Sequence, residues 1–540
     1  MKVASISQVR EIEAAADRSL MSYEQMMLNA GAAASALLQR RCRISSATKI
    51  TFLIGKGNNG GDGLVMAHNL ALSTAADIRL YLLAPRDSAD KNYQAVLSDG
   101  LSVTLAAEDH DGRQLACLIA SADIIVDAVL GIGARLPLRG KAAKALKLAK
   151  DCLSQYAAKT RGRDEAMSSS ACSASMTARP FILAIDCPSG IDCDTGAVAE
   201  NVIAADATIT YIAGKPGLFT FPAARYVGDL EISTIGIPLS LPELDQVQTS
   251  IVDASLASSL LPDRPLDGHK GTFGKIMVVA GSPHYIGAIA LAAESAYRSG
   301  AGLVTVATAR RLAEIIAAGL REPTWLPLPE ADGAIAESAA DSVVEQVGRY
   351  DALLVGCGLG SRQTTQAFLR GLLASDSLPP LVLDADALNL LSRDSRWWAS
   401  LPADTIITPH PGELGRLTGL SAKEINADRW AVARQCADEW NLVLLLKGAH
   451  TLVATPDGRN SVLPFKTDAL STAGTGDVLA GLIAGLRGQG LNAFDSARLG
   501  AYVHASAGLI AAESLGSSRS VIASDVLAAL GRAFAALEAP

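Results

Sequence analysis

A chain of 540 residues that is 49% hydrophobic has ample material for a large core, and at about 150 residues per domain it is expected to fold as two to four domains. Its formal net charge of -8 argues against a broad basic surface for nucleic acid or anionic membrane, but leaves room for a small anion held by backbone amides. The eight cysteines form no C-x-x-C pair and none stands at zinc-finger spacing from a histidine, so they are read as reduced thiols. The N-terminal MKVASISQVREIEAAADR carries charges where a signal peptide needs an apolar run, and no segment approaches the roughly 18 apolar residues of a membrane span, so a cytoplasmic location is expected.

Short β-branched runs alternate with alanine-rich segments of helical period, the pattern of parallel sheets covered by helices. In the first half the expected strands are ITFLI, IRLYLLA, DIIVDAV, FILAIDC, ATITYI and DLEIS. The expected helices are SYEQMMLNAGAAASALLQRR, GLVMAHNLAL and KAAKALKLAKDCLSQYA. TRGRDEAMSSSACSASMTARP, residues 160–180, is low in complexity and reads as a surface insertion. A Pro, Ser and Asp-rich stretch, 237–274, reads as a linker. Beyond it, strands are expected in IMVVAG, LVTVAT, ALLVGCG, LVLDA, TIITP and LVLLLKG, and three helices near the C-terminus.

GKGNNGGDGL, Gly55 to Leu64, follows a strand and opens a helix. Its amides are placed to meet an anion at the helix N-terminus, and the glycines let a ligand approach closely. The spacing is not the G-x-G-x-x-G of a dinucleotide fold. Two further segments end strands at the same expected edge of the sheet: VDAVLGIGARLPLRG with Asp127, and AIDCPSGIDCDTG with Asp186 and Ser189.

Together with AGKPG, and in this order, these segments resemble the NAD(P)H-hydrate epimerase domain over roughly residues 5–235. The resemblance implies that the hydrated nicotinamide nucleotide contacts Asn58, Asn59, Gly60, Gly61 and Asp62, the loop Gly131, Ile132, Gly133, Ala134, Arg135, Leu136 and Pro137, and Asp186. It also implies a potassium ion on Asn59, Asp127 and Ser189. Epimerisation inverts a carbon that bears a hydroxyl beside a ring nitrogen, so water loss to an iminium cation and readdition from the other face is the expected path. Asp186 is expected to handle the proton while Asp127 and the ion fix geometry.

In the second half TAGTGDVLAGLIAGL aims the amides of Gly474 to Gly476 at a developing negative charge and sets Asp477 at the first helical turn, placed to act as a base. Lys447 emerges from the apolar run LVLLLKG, which favours a phosphate-binding role. The GTGD motif is similar to the phosphoryl-transfer signature of the ribokinase-like superfamily. With KGTFGKIMVVAGS, SGAGLVTVAT, VGCGLG, VLDADALNLL, TPHPGELGRLTG and LLLKGAHTLVA, residues 265–535 look like an ADP-dependent NAD(P)H-hydrate dehydratase. This resemblance implies substrate contacts at Ala288, Gly358, His410 and Asp477, and ADP with Mg²⁺ against Lys447, Gly448, Ala449, His450, Thr451 and Gly476. Glu413 is left open between metal support and a helix cap.

The expectation is therefore an α/β chain of two domains, a Rossmann-like three-layer α/β/α epimerase domain (1–240) and a ribokinase-like α/β/α dehydratase domain (241–540). Its partners would be the NADH and NADPH hydrates and ADP, with no nucleic acid and no membrane, in a homo-oligomer. The alternative is a small-alcohol kinase fused to a nucleotide-binding scaffold.

Overall fold

The computed structural model describes residues 1–164 and 179–539, so most of the stretch 160–180 that was expected as a surface insertion lies outside the described residues. The chain divides into two compact units, Met1–Val247 and Gln248–Pro540.

The first unit is built on seven strands: β1 (Lys49–Ile54), β2 (Asp77–Leu82), β3 (Ser102–Leu105), β4 (Ile124–Ala128), β5 (Phe181–Ile185), β6 (Ala207–Tyr211) and β7 (Asp229–Ser233). They form one parallel sheet in the order β3-β2-β1-β4-β5-β6-β7. Period-two alternation sends Ile50, Phe52 and Ile54 into the core on one face and Leu53 into that on the other, which is why ITFLI reads as a continuous apolar run. Chain order reverses between β1 and β4, where Leu53 stands level with Asp127, and the loops leaving these two strands diverge to open a crevice. The short, half-buried β3 was not expected from the sequence.

In the second unit β8 (Thr249–Ile251), β9 (Lys275–Val279), β10 (Leu303–Ala309), β11 (Thr324–Leu328), β14 (Ala352–Val355), β15 (Leu381–Leu383), β16 (Ile406–Ile407), β17 (Val443–Leu446), β18 (Leu452–Ala454) and β19 (Asn460–Val462) make a ten-stranded sheet. Its order is β11-β10-β9-β14-β15-β16-β17-β18-β19-β8. A separate hairpin pairs β12 (Glu330–Ala331) with β13 (Ala334–Ile335). The reversal falls between β9 and β14, again at the carboxyl ends of the central strands.

Two differences from expectation stand out. The stretch 237–274 is not a bare linker: it holds a short helix, Pro242–Asp245, then β8 and the helix Ala254–Ser259, and β8 pairs in register with β19. Its prolines shorten the elements, while Ile251 and Val252 still find the core. The sheet is also not wholly parallel, since β17, β18 and β19 pair antiparallel. Part of the signal was present, because Asp457-Gly458 after the apolar Leu452–Ala454 is a hairpin turn, while the returning strand Asn460–Val462 is mostly polar.

The last three helices are those expected: Thr475–Gly488, Ala493–Leu515 and Ala523–Glu538. The first of them crosses the Ile286–Arg298 helix so closely that a Cβ on Gly481 would fall 2.1 Å from the Ala292 carbonyl oxygen. Overpacking against backbone cannot relax by a rotamer change, so Gly481→Ala is expected to destabilise the second unit by about 1–3 kcal/mol. A lower urea midpoint for that unit's unfolding transition checks this.

Candidate functional sites

The first crevice encloses about 340 Å³. The loop after β1 turns at Gly55 to Gly57 into the Asn58–Ser73 helix, whose N-cap is Gly57. Arg86 clamps this loop by donating to the carbonyls of Gly55 (2.7 Å) and Gly57 (3.2 Å), leaving the amides to face outward. Asn58, Asn59 and Asp62 line the cavity from this helix, and Gly131, Ile132 and Gly133 from the loop after β4. Ala134 to Pro137 continue that loop but do not line the cavity, and Gly60 and Gly61 lie within the helix rather than on the wall.

Asp186 closes the floor. Its φ of 67° is a left-handed conformation that turns the chain sharply at the end of β5. Its Oδ2 accepts from Ile132 N at 2.9 Å, and its Oδ1 accepts from Lys215 Nζ at 3.0 Å and Thr210 Oγ1 at 3.4 Å. Lys215 is 1% exposed and its ammonium also donates to Thr210 Oγ1 (2.6 Å) and Tyr211 O (3.0 Å), so all three donors are used. A Cβ on Gly131 would fall 2.5 Å from Asp186 Oδ2 and 3.3 Å from Asn59 Cγ, which places the two side chains against the same loop.

Asp127 and Ser189 sit beneath. Asp127 Oδ1 accepts from Ser189 Oγ at 2.6 Å, and its Oδ2 accepts from Ser189 N at 2.8 Å. Burial pushes its carboxyl above the ordinary range, and the Ser189 and Val129 donors pull it part of the way back. Asn59 is buried with neither side-chain oxygen nor nitrogen hydrogen-bonded among the described residues. An unsatisfied buried amide oxygen, a buried carboxylate and a buried hydroxyl are oxygen donors of the chemistry a monovalent cation takes, although Asp127 and Ser189 do not line the cavity that Asn59 lines.

The second crevice gathers Asp384 at the end of β15, Lys447 at the end of β17 and the start of the Thr475–Gly488 helix. Lys447 Nζ lies 2.7 Å from Asp384 Oδ1 and 3.8 Å from Glu413 Oε2. Burial pulls its ammonium down, but the carboxylates outweigh this and leave it above the ordinary lysine range. Asp477, Asp384 and Cys357 bring one ligand atom each within 4.8 Å of one another. The carboxyl of Asp477 is pushed up to about 7, chiefly by burial and then by the Asp384 charge. A Cβ on Gly476 would lie 3.4 Å from Lys447 Nζ, so the glycine keeps the helix N-terminus open to whatever Lys447 binds.

A cavity of about 160 Å³ adjoins this point. Lys447, Gly448, Ala449, Thr451 and Gly476 line it, and Phe465 and Leu479 supply apolar walls. His450 does not share that wall. Its ring is buried, with Nδ1 3.1 Å from Leu463 O, and burial holds its imidazole down at about 4. Ala288 and Gly358 adjoin each other across the other side of the sheet edge, where a Cβ on Gly358 would meet that of Ala288 at 2.9 Å. His410 caps the Pro411–Thr418 helix, its Nδ1 accepting from Gly412 N at 2.9 Å, and Glu413 answers by accepting from His410 N at 2.8 Å. Glu413 thus forms a capping box with His410, with its carboxylate also facing Lys447.

Several residues of these sites had no assigned role in the sequence. Lys215 stood in the quoted AGKPG, and a buried lysine there leaves no periodic signal. Glu13 and Arg10 reach the first cavity from the Ile6–Ser19 helix, remote in the chain. Asp384 was detectable, since it ends a strand as Asp127 and Asp186 do. His504, on the wall of the second cavity, is hidden in an alanine-rich helix.

Among the described residues, each α/β unit has a cavity at the carboxyl ends of its strands, beside a helix N-terminus and a lysine–aspartate pair. A family model described as YjeF-related protein N-terminus matches residues 23–217, and one described as NAD(P)H-hydrate dehydratase matches residues 276–530. The bifunctional NAD(P)H-hydrate repair enzyme Nnr of Moorella thermoacetica is 37% identical over 508 residues, covering 93% of this chain and 90% of that protein. The Escherichia coli K12 enzyme of the same name is 34% identical over 524 residues, covering 97% and 91%. Among solved structures, an ADP/ATP-dependent NAD(P)H-hydrate dehydratase from Bacillus subtilis, co-crystallised with ATP and Mg²⁺, is 30% identical over 54% of this chain and 99% of that chain, with a TM-score of 0.48. The chain belongs to the family of bifunctional NAD(P)H-hydrate repair enzymes.

The raised carboxyl of Asp477 has a consequence for stability. An unfolded aspartate titrates near ~3.9, so between about pH 4 and pH 7 the native chain keeps a proton that the unfolded chain has lost, and this group's contribution falls as pH rises. Asp477→Asn is therefore expected to stabilise the second unit by more than about 1 kcal/mol at pH 8 and to change little at pH 4.5. Thermal melts of the variant and the native chain at the two pH values check it.

Proposed function

We propose that the first unit interconverts the R and S hydrates of NADH and NADPH, and that the second dehydrates the S form at the expense of ADP, giving AMP and phosphate. The observation that carries this is the shared design of the two cavities. Each combines a helix N-terminus, suited to an anionic nucleotide, with a carboxylate near the start of that helix and a lysine–aspartate pair.

In the first site the departing hydroxyl must gain a proton, and the iminium left behind must be stabilised by negative charge. Asp186, paired with the Lys215 ammonium, supplies that charge at a fixed position. Asn59, Asp127 and Ser189 would hold K⁺, which when bound supplies a fixed positive charge for the nucleotide's phosphate oxygens.

In the second site Asp477, titrating near neutrality, is matched to removing the proton from the hydrate's hydroxyl as that oxygen attacks the terminal phosphate of ADP. The bond to the AMP oxygen breaks with its electron pair. The phosphorylated oxygen then leaves carbon as phosphate while the ring nitrogen's lone pair forms an iminium. Loss of a proton from the adjacent ring carbon, whose C–H electrons form the new carbon–carbon double bond as the C=N electrons return to nitrogen, gives the reduced nicotinamide. Lys447 and the amides of Gly474 to Gly476 are arranged to hold the charge that builds on the transferring group. Mg²⁺, which Asp384 would help to hold with the nucleotide, neutralises phosphate charge when bound.

Asp477→Asn should lower ADP-dependent recovery of reduced-nicotinamide absorbance by at least ~100-fold while the affinity for the hydrate stays within about threefold. Stopped assays with the S hydrate, Mg²⁺ and ADP, alongside equilibrium binding, read both numbers. Retained turnover, or a stable phosphorylated alcohol as product, would count against this assignment.

A further inference from the structure

Two aspartates line the first cavity in opposite surroundings. The Asp186 carboxylate already accepts from an ammonium, a backbone amide and a hydroxyl, so both of its oxygens are engaged by donors. Asp62, half-buried on the Asn58–Ser73 helix, lines the same cavity, and its carboxyl makes no hydrogen bond or ion pair with any described residue. We propose that Asp62, not Asp186, is the group that donates and recovers the proton during epimerisation, with the Asp186–Lys215 pair serving as the fixed counter-charge to the cation. This rests on the epimerase reading of the first unit.

The step balances as follows. Protonated Asp62 gives its proton to the hydroxyl oxygen of the hydrate, the carbon–oxygen bond breaks with its electrons leaving as water, and the ring nitrogen's lone pair forms the carbon–nitrogen double bond of the iminium. Water then adds to the opposite face, the double-bond electrons return to nitrogen, and the added water returns a proton to the Asp62 carboxylate. No other reactant is consumed.

The groups facing Asp62 from neighbouring elements are Glu13 and Arg10 on the Ile6–Ser19 helix, Lys56 on the loop after β1, Tyr211 at the end of β6, and the Asp186–Lys215 pair. Burial first, then the charges of Asp186 and Glu13, hold the Asp62 carboxyl well above its ordinary range. A group in this setting carries its proton at a pH where an exposed aspartate has lost it, as an acid for this reaction must. Glu13 is also raised, by burial and by Asp186, and it is the competing candidate.

The test follows the approach of R-enriched NADH hydrate to its R/S equilibrium by chromatography, without ADP and with the uncatalysed rate subtracted. Asp62→Asn should cut the rate by at least ~100-fold with hydrate affinity close to native and a thermal midpoint no lower than native, and Asp62→Glu should restore part of the rate. In the native chain the rate should fall as pH rises through the raised Asp62 ionisation. Glu13→Gln, by removing one of the negative charges that hold Asp62 up, should move this falling limb to lower pH, an effect a merely structural role would not produce. Asp62→Asn turning over within threefold of native, or Glu13→Gln abolishing turnover while Asp62→Asn does not, overturns the assignment while leaving the epimerase reading intact. A native chain that does not interconvert the epimers overturns that reading and the assignment with it.

Discussion

Each half of this molecule depends on a lysine set against a strand-end aspartate: Lys215, buried, with Asp186, and Lys447, partly buried, with Asp384. Taking two opposite charges out of water costs several kcal/mol per ion, and that cost is offset only when the geometry is close and the remaining donors find partners. Lys215 meets that condition with three acceptors, and Lys447 with Asp384 and the nearby Glu413. The pairs set one carboxylate of each site against a lysine ammonium. A second carboxylate, Asp62 or Asp477, stands in a poorly solvated space near it, and burial first and then the neighbouring aspartate charge hold its proton more tightly. One device thus recurs in both sites.

The sheets determine where the device can stand. In a parallel sheet every strand delivers its carboxyl end to the same edge, and where chain order reverses, between β1 and β4 and between β9 and β14, adjacent loops turn to opposite faces and leave a crevice. Asp127 and Asp186 end β4 and follow β5 in the first unit, and Asp384 follows β15 in the second, so the acidic groups arrive at the crevices because the strands do. The helices that begin at Asn58 and Thr475 add unpaired amides at the same edge. The anion-binding and proton-handling parts of each site therefore share one scaffold.

Much of this was legible in the chain. ITFLI, DIIVDAV, FILAIDC and ATITYI become β1, β4, β5 and β6, because buried parallel strands write themselves as unbroken apolar runs. Most of the residues around Asn58 to Asp62 and Gly131 to Gly133 line one cavity, and Lys447, Gly448, Ala449, Thr451 and Gly476 line another. Less visible were the short and the remote. β3, β8, β18 and β19 hold only three or four residues each, too few for a period to declare itself. Glu13, Arg10 and Lys215 enter the first cavity from segments with no punctuating glycine or proline to mark them out, or, for Lys215, beside glycines whose purpose the local sequence does not reveal.

By itself the amino-acid order determined which segments are strands and helices, where the glycine loops fall and which carboxylates end strands, since these follow from local propensity and short-range pattern. Only the tertiary structure decided which charges become neighbours. Asp186 and Lys215 are 29 residues apart, and Asp384 and Lys447 are 63 apart, so their pairing, and the proton affinity it imposes on Asp62 and Asp477, exists only after the sheets assemble. Electrostatic environment depends on distance and solvent exclusion in space, and neither is written in linear separation along the chain.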